Sequence, residues 1–458
     1  MSERREEPTP IVPVRRGNPT LAVLSLGCRA NQEEVECLLG TLCDRGFDLV
    51  PFGSPADWIL INGCSVTVAG ESDTRQAIRR AARVSGGRGK IIVTGCYAQK
   101  EPAQAAQIGA DLVVGNSEKW RLPDLLATAA EDGRACAEIL VGEDPTTHRF
   151  LQHGRASSGF RTRAAIKVQD GCDERCTYCI VPRLRGRGVS RDPEEVLAEA
   201  RVLVSSGHPE VTLTGIHTAS YRWEQVGLAG LLRRLLEVSG LMRIRLNSLG
   251  PQWIGPELIE VLASSPRFCR HLHLPLQSGD ATILRLMGRG YTPQDYERTV
   301  TAVRERIPEV AIGADVMVGF PGEDEERFAR TLRLLEETRP AYLHIFPYSE
   351  RPGTAALRLP KRVEEREKRA RAKRLACLDH DLRTHYLRRS EGEAHELLVE
   401  AKKDRDRRPQ GLTDTAIRVS IDADPPAGSW VRVRLRWIGS ARRMLGELCP
   451  ASDSRGTR

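Results

Sequence analysis

No apolar run in the 458-residue chain approaches the roughly 18 residues that a membrane-spanning helix needs, so no membrane partner is expected. Residues 1–18 are rich in Arg, Glu and Pro and lack the apolar segment of a secretory signal. Cysteine, at 12 residues, is too sparse for a disulfide scaffold, and some cysteines have ligand-like spacing; both favour a reducing cytoplasm and metal ligation. Internal repeats and low-complexity tracts are missing. A strong charge of one sign is missing too: Lys+Arg 69 against Asp+Glu 61 leaves +8, which cannot by itself establish a nucleic-acid partner. What is there is a soluble, globular composition, 40% hydrophobic and 28% charged, of a length that suits two or three domains.

From residue 21 the pattern alternates. Stretches at 21–26, 57–62, 90–94 and 111–114 read as strands, each followed by a helical pattern, at 31–45, 73–84, 102–108 and 123–130. Strands alternating with helices imply a parallel sheet. A second alternating block offers six strands, at 165–168, 211–214, 244–247, 271–274, 311–318 and 342–346. Six such units fit a partial barrel better than a closed eightfold one. Residues 361–390 read as a basic helix, with eleven Lys or Arg against five Asp or Glu, and 393–448 is β-like. The expected fold class is α/β. An N-terminal parallel-sheet domain spans 20–135 and a linker 136–160. A partial (β/α)6 barrel with the basic helix spans 161–390, and a small β-rich domain 391–450. A disordered N-terminus at 1–19 and a tail at 451–458 flank them.

Cys172, Cys176 and Cys179 are spaced C-x3-C-x2-C directly after the first barrel strand. Three thiolates this close can converge on one metal centre. A zinc ribbon would need a second C-x2-C pair, and none follows. Coincidental spacing and an incomplete zinc site are the alternatives. Three ligands leave one iron of a cubane cluster open to a small molecule. Turns after later strands carry Thr214 and Gly215, then Pro275, Gln277, Ser278 and Gly279, then Gly319 and Gly322. Such folds hold ligands at the C-terminal strand ends, so these are the candidate cofactor contacts. His217, His271 and His273, near strand ends, are open to packing, cofactor or substrate contact, with packing or hydrogen bonding the favoured reading for each.

A second triad is dispersed. Cys28, Cys64 and Cys96 each follow a Gly at a strand end, 36 and 32 residues apart, one strand–helix unit each. In a parallel sheet the three ends share an edge, so the thiolates can converge on a second cluster. Cys37 and Cys43 sit in an apolar helical pattern and read as packing groups. Cys136, Cys269, Cys377 and Cys449 have no partner pattern.

The first triad, placed after the first strand of a six-unit barrel, resembles the radical S-adenosylmethionine superfamily. That resemblance implies a [4Fe-4S] cluster on Cys172, Cys176 and Cys179 whose open iron binds S-adenosyl-L-methionine. Reductive cleavage of the sulfonium would give a 5′-deoxyadenosyl radical. The three-cysteine domain ahead of the barrel is similar to the methylthiotransferases. The likeness runs from about residue 21 to 448 and is carried by Ser25-Leu26-Gly27-Cys28-Arg29-Ala30-Asn31-Gln32, Arg161-Thr162-Arg163 and segments 213–218, 271–279 and 344–349. It implies a second [4Fe-4S] cluster on Cys28, Cys64 and Cys96, which carries the sulfur, and a second S-adenosylmethionine as methyl donor. The implied reaction places a methylthio group on carbon 2 of adenosine 37 in the anticodon stem-loop of tRNA, with an unidentified electron donor. In detail the chain most resembles the branch acting on N(6)-threonylcarbamoyladenosine. Sister branches act on isopentenyladenosine of tRNA or on an aspartate of a ribosomal protein. A different class, an RNA-binding protein with structural metal clusters and no turnover, is the remaining alternative. The chain departs from the family pattern at Ser25 and Gly63, where Thr is common. It also carries Ser248-Leu249-Gly250-Pro251, which puts Gly250 where an acidic residue would help hold the cofactor.

Near the C-terminus Arg432, Arg434 and Arg436 alternate with Val431, Val433 and Leu435, and Arg442 and Arg443 follow. Period-two spacing puts the three arginines on one strand face. Five cations with no acid between residues 429 and 443 suit phosphate contacts; a solvated face is the alternative. The β-rich pattern after a barrel resembles a divergent TRAM domain, a small barrel that implies RNA binding. The basic helix either extends that surface or is simply solvated.

Overall fold

The computed structural model describes residues 17–132, 138–147, 149–154, 162–440 and 442–450. Most of the N-terminus expected to be disordered, the 451–458 tail, Cys136 and Arg161 lie outside the described residues.

The N-terminal sheet has six strands in the order Asp48–Val50, Thr20–Ser25, Trp58–Gly63, Lys90–Gly95, Leu112–Val114, Glu138–Leu140, all parallel. Helices Arg29–Asp44 and Leu122–Asp132 cover one face, where Leu38, Leu42 and Leu126 pack on Leu21, Leu60 and Ile92. Helices Val68–Ser85, Cys96–Lys100 and Pro102–Gln107 cover the other, with Ile78, Tyr97 and Ala105 against Ile59, Ile61 and Val93. Both faces are buried, which is why the strands read as continuous apolar runs. Two strands carry no such signal. Asp48–Val50 is an edge strand of three residues, and Glu138–Leu140 falls in the stretch read as a linker.

The six expected barrel strands are present as two arcs. One arc is ordered Arg243–Leu246, Glu210–Gly215, Ala164–Asp170, with Val189–Ser190 added antiparallel at its edge. The other is His271–His273, Ala311–Val318, Tyr342–Pro347. Single parallel bridges, Ile244 to Phe268 and Ser248 to His273, join them. One apolar core lies between the arcs and their outer helices, and it includes Leu375 and Leu382 of the basic helix Glu365–Arg389. Helix Arg29–Asp44 packs onto the barrel strand Ala164–Asp170, so the N-terminal unit docks beside that strand.

The C-terminal unit is a closed five-stranded barrel, Ala394–Val399, Gln410–Thr413, Arg418–Ile421, Met444–Leu448, Trp430–Arg436. Leu397, Val419, Val433, Leu435 and Met444 fill it, and Leu387 at the end of the long helix anchors it. No described helix is long and apolar enough to cross a membrane.

Candidate functional site

Three cysteines mark the C-terminal edge of the N-terminal sheet. Cys28 is the N-cap of helix Arg29–Asp44, Cys64 follows strand Trp58–Gly63, and Cys96 opens helix Cys96–Lys100. The strand order changes direction between the first and third strands in sequence, and such switch points open a crevice at the strand ends. Gly27 lets two of the cysteine loops touch: its φ is +95°, and a Cβ there would lie 2.8 Å from Cys64 Sγ. Asn31 ties the same loops together. Its Nδ2 donates to Leu26 O (2.9 Å) and Gly63 O (3.3 Å), and its own carbonyl accepts from Asn62 Nδ2 (2.7 Å). Burial pushes the Cys64 thiol up to about 12, reinforced by Cys96 and Cys28 nearby. The three thiols therefore share one electrostatic neighbourhood.

The second triad lies in the loop after strand Ala164–Asp170. Gly171, at φ +66°, makes the entry turn; a Cβ would sit 1.8 Å from Arg187 O. The loop is pinned by Cys172 N to Gly186 O (3.2 Å), Thr177 N to Met287 O (2.9 Å) and Cys179 N to Cys176 O (3.1 Å). Arg289 Nη1 donates to Cys176 Sγ at 3.2 Å. Burial raises the Cys172 thiol to about 11 and that of Cys179 to about 12, and the neighbouring thiols add to both. Such thiols stay protonated at neutral pH until a cation replaces the proton. Two all-sulfur triads, each held by backbone rather than by acid ligands, fit iron–sulfur clusters.

The two loops meet. Cys96 packs with Ile180, the residue after Cys179, and with Leu184 in the short helix that follows. Asn116 Nδ2 donates to Leu184 O (2.7 Å) beside Cys96. Beneath them Arg185, fully buried, donates to Asn31 Oδ1 (2.5 Å), Glu34 Oε1 (2.7 Å) and Asp170 Oδ1 (2.9 Å). Lys167 Nζ reaches Glu34 (2.6 Å) and Asp170 (2.8 Å), and Lys119 also pairs with Glu34. Burial alone would raise the Asp170 carboxyl, but Arg185 and Lys167 outweigh it and bring it down to about 2. Glu34 is held below the usual carboxylate range by the same cations against its burial. The sequence reading did not single out Glu34, Lys119, Lys167, Asp170 or Arg185. One signal was available: Lys167, Gln169 and Asp170 interrupt a strand that is buried along its whole length.

The eight expected cofactor contacts divide. Thr214 Oγ1 accepts from Asn247 Nδ2 (3.0 Å), and Gly215 abuts Gln169. Gln169 Oε1 accepts from His217 N (2.7 Å) while its Nε2 donates to Gly171 O (2.8 Å), linking this turn to the cysteine loop. The Pro275 carbonyl accepts from Tyr291 (2.8 Å). Gln277, at φ +66°, pairs through its backbone with Asp315 and Met317. Ser278 and Gly279 instead face helix Glu325–Thr338, where Gly279 N donates to Thr331 Oγ1 (2.9 Å). Gly319 packs on the Lys368 side chain and its N–H goes to Glu323 (2.9 Å), while Gly322 N donates to Lys361 O (2.9 Å). Gly250 is crowded: a Cβ would lie 3.0 Å from His217 Nε2 and 3.2 Å from the Trp253 indole. His217 and Trp253 thus occupy the space an acidic side chain there would need. They line a groove of about 1080 Å³ beside Glu174 and Arg175 of the cysteine loop.

In the C-terminal barrel Arg434 and Arg436 are exposed, and Val433 and Leu435 are buried. Arg434 donates to Gly392 O (2.9 Å), and Arg436 pairs with Glu447 (2.9 Å) on the adjacent strand. Arg443 pairs with Asp404 (3.0 Å) and Asp406 (3.3 Å). Arg432 lies half-buried on the same strand, and Arg442 is exposed. Some of the cationic charge is therefore already matched by acids from other strands and turns.

Two family models match: "Radical SAM superfamily" over residues 166–335 and "Uncharacterized protein family UPF0004" over residues 20–115. The chain is 38% identical over 428 residues to the threonylcarbamoyladenosine tRNA methylthiotransferase MtaB of Bacillus subtilis, covering 92% of this chain and 94% of that one. It is 36% identical to the tRNA-2-methylthio-N(6)-dimethylallyladenosine synthase of Geobacter metallireducens, covering 94% and 99%. Among solved structures, the radical S-adenosylmethionine methyltransferase TsrM of Kitasatospora setae matches with a TM-score of 0.53 at 18% identity, over 72% of this chain and 74% of that one. At that identity the likeness is one of fold.

Proposed function

The chain belongs to the radical S-adenosylmethionine methylthiotransferase family, and from that premise we propose that it transfers a methylthio group to carbon 2 of N(6)-threonylcarbamoyladenosine at position 37 of tRNA. The observation that carries this reading is the meeting of the two cysteine triads through Cys96, Ile180 and Leu184. A reaction that opens a C–H bond and installs sulfur on the same carbon needs both centres within reach of one atom.

Cys172, Cys176 and Cys179 would hold the cluster that binds S-adenosylmethionine, and Cys28, Cys64 and Cys96 the other. When bound, these groups supply the hydrogen-abstracting radical and the sulfur. The chain's own residues position and shield. Arg289 hydrogen-bonds a ligand sulfur, which favours its anionic form. Tyr178, Phe320 and Tyr348 pack edge to face beside the second triad and cover that side. Arg185 fixes the first turn of the Cys28 helix to the strand that feeds the second triad. The arginines of the C-terminal barrel would meet phosphates of the anticodon stem-loop, and an electron donor must reach the second triad. A tRNA substrate and thiolate-bound iron suit a reducing cytoplasm.

Nucleoside mass spectrometry of tRNA from cells with and without the gene tests the assignment. Loss of the 2-methylthio form of threonylcarbamoyladenosine is expected. Loss confined to the isopentenyladenosine derivative would move the chain to the sister branch. Intact tRNA in both strains, together with no reductive cleavage of S-adenosylmethionine by the reconstituted protein, would leave only a binding role.

A further inference from the structure

The inner face of the second barrel arc carries a polar and aromatic set that the cysteine chemistry leaves unused. His271 and His273, Gly313 and Asp315, and Tyr342, His344 and Phe346 alternate with Leu272, Ile312, Ala314, Val316 and Leu343, which enter the buried core. The first set therefore faces the lumen. Gly313 makes room for the Tyr342 ring; a Cβ would lie 2.2 Å from its Cζ. The Tyr342 hydroxyl meets His271 Nε2 (2.8 Å) and His273 Nδ1 (3.1 Å). His273 Nε2 then faces Asp315 Oδ1 (2.8 Å), and the same oxygen faces His344 Nδ1 (3.3 Å). The chain of contacts runs from a buried base to an open top: side-chain exposure is 8% at His273, 20% at Asp315 and 52% at His344. Phe346, one register step further, is 44% exposed. It is one of few large apolar side chains left open among the described residues.

Position gives the exposed pair its meaning. Strand Tyr342–Pro347 ends between the two triads. On one side Tyr348 packs on Phe320 (5.3 Å), and Phe320 packs on Tyr178 (6.3 Å), which lies between Cys176 and Cys179. On the other side Ser349 Oγ accepts from Val68 N (3.4 Å), and Arg351 donates to Ser65 O (2.9 Å) in the loop that follows Cys64. An aromatic surface on the wall between a radical source and a sulfur source suits one kind of occupant: the flat ring whose carbon must meet both.

We propose that Phe346 is the platform on which the adenine to be modified stacks after it leaves the RNA stack, with the His344 ring, which stands at 79° to it (centroids 6.4 Å), meeting the edge of the base and His273 and Asp315 fixing the imidazole. The proposal rests on the reading of the chain as a tRNA-modifying enzyme and names the residues that hold its base. With Nδ1 engaged by Asp315 on this half-exposed ring, Nε2 is the His344 atom left to meet the substituted amino group of the base. Stacking on aromatic faces is the general means by which proteins hold unstacked bases.

The test uses reconstituted holoenzyme and an anticodon stem-loop RNA with 2-aminopurine at position 37, whose fluorescence is quenched by stacking. Wild-type protein should bind the RNA and hold the probe quenched. Phe346→Ala, with unchanged iron content, should brighten the bound probe severalfold and weaken RNA binding by about 5- to 150-fold. Phe346→Trp should restore both. S-adenosylmethionine also carries an adenine, so its binding is measured on the same proteins and should not change. Equal probe fluorescence and affinity in all three proteins would overturn the platform. So would weakened binding of S-adenosylmethionine with unchanged RNA behaviour, which would assign Phe346 to the cofactor. Failure of wild-type protein to bind the stem-loop at all would instead overturn the tRNA reading, and the platform with it.

Discussion

Glu33 and Glu34 are neighbours on one helix and sit in opposite electrostatic states. Glu34 faces Arg185, Lys119 and Lys167. Glu33 faces Cys37 and the edge of the Lys167 backbone, and its Oε2 is buried without a hydrogen-bond partner. Burial pushes its carboxyl up to about 7, more than Lys167 and His153 pull it down. The unfolded chain loses this proton near 4.5 and the folded chain near 7. Between those values the unfolded state binds fewer protons, so stability falls as pH rises. The contribution is whole below about pH 4.5 and is diminished by about 3 kcal/mol above about pH 7. Glu33→Gln should remove that slope. The difference in unfolding midpoint between variant and wild type should be near zero at pH 4.5 and grow in the variant's favour toward pH 7.5. A constant difference across the series would refute the assignment. Residues of this kind were hard to read in the sequence. Cysteine spacing shows because few other residues do what a thiolate does, but Glu34 and Arg185 look like any solvated charge until the fold buries them. The second triad offers a direct residue test as well. Cys172→Ala/Cys176→Ala/Cys179→Ala should lower iron from about eight to about four per chain after anaerobic reconstitution.

Among elements, the arginine strand Trp430–Arg436 shows where pattern reading reaches and where it stops. Strict alternation told which face Arg434 and Arg436 share. Nothing in it told that Glu447, on a strand contributed later, pairs with Arg436, or that Asp404 and Asp406 take Arg443. Those pairs rank the arginines. Arg434, bonded among the described residues to a carbonyl rather than an acid, and the exposed Arg442 are better placed to meet phosphate than Arg443 is. Arg434→Gln and Arg442→Gln should each lower the slope of log K against log salt for tRNA binding by about 0.7–0.9. Arg443→Gln should change it less. Equal effects at all three would mean that the intramolecular pairs do not compete. The basic helix Glu365–Arg389 carries the same lesson. Its charge count suggested a solvated or RNA-facing rod, yet Lys368 lies under Gly319 and Arg371 pairs with Glu323 at 2.7 Å inside the barrel wall. The short strands Asp48–Val50 and Glu138–Leu140 escaped because three residues show no period; the sheet edge, not the local sequence, makes them strands.

At the scale of the whole molecule, catalysis on one carbon by two centres requires that the N-terminal unit and the barrel keep a fixed separation, and the Arg185 network is a buried link between them. It joins Asn31 and Glu34 of one unit to Lys167 and Asp170 of the other, with three cations against two carboxylates. A buried network of this kind adds little net stability over an apolar contact, but it is costly to break from one side. Arg185→Met should leave Glu34 and Asp170 short of their shared donor and cost about 3–5 kcal/mol. Because the loss falls on the interface, calorimetry should show two transitions in the variant where a single one is expected of wild type, and the N-terminal triad should lose iron first. Removing a carboxylate as well distinguishes a specific pair from general damage. Arg185 and Glu34 are direct partners, and each single loss includes their shared interaction, so Arg185→Met/Glu34→Gln should be more stable than the sum of the two single losses, by about 1 kcal/mol or more. Strict additivity would mean that the two residues support their own units independently, and the fixed spacing of the triads would then have to come from the other contacts between the units, such as Cys96 with Ile180 and Leu184 and Arg351 with Ser65.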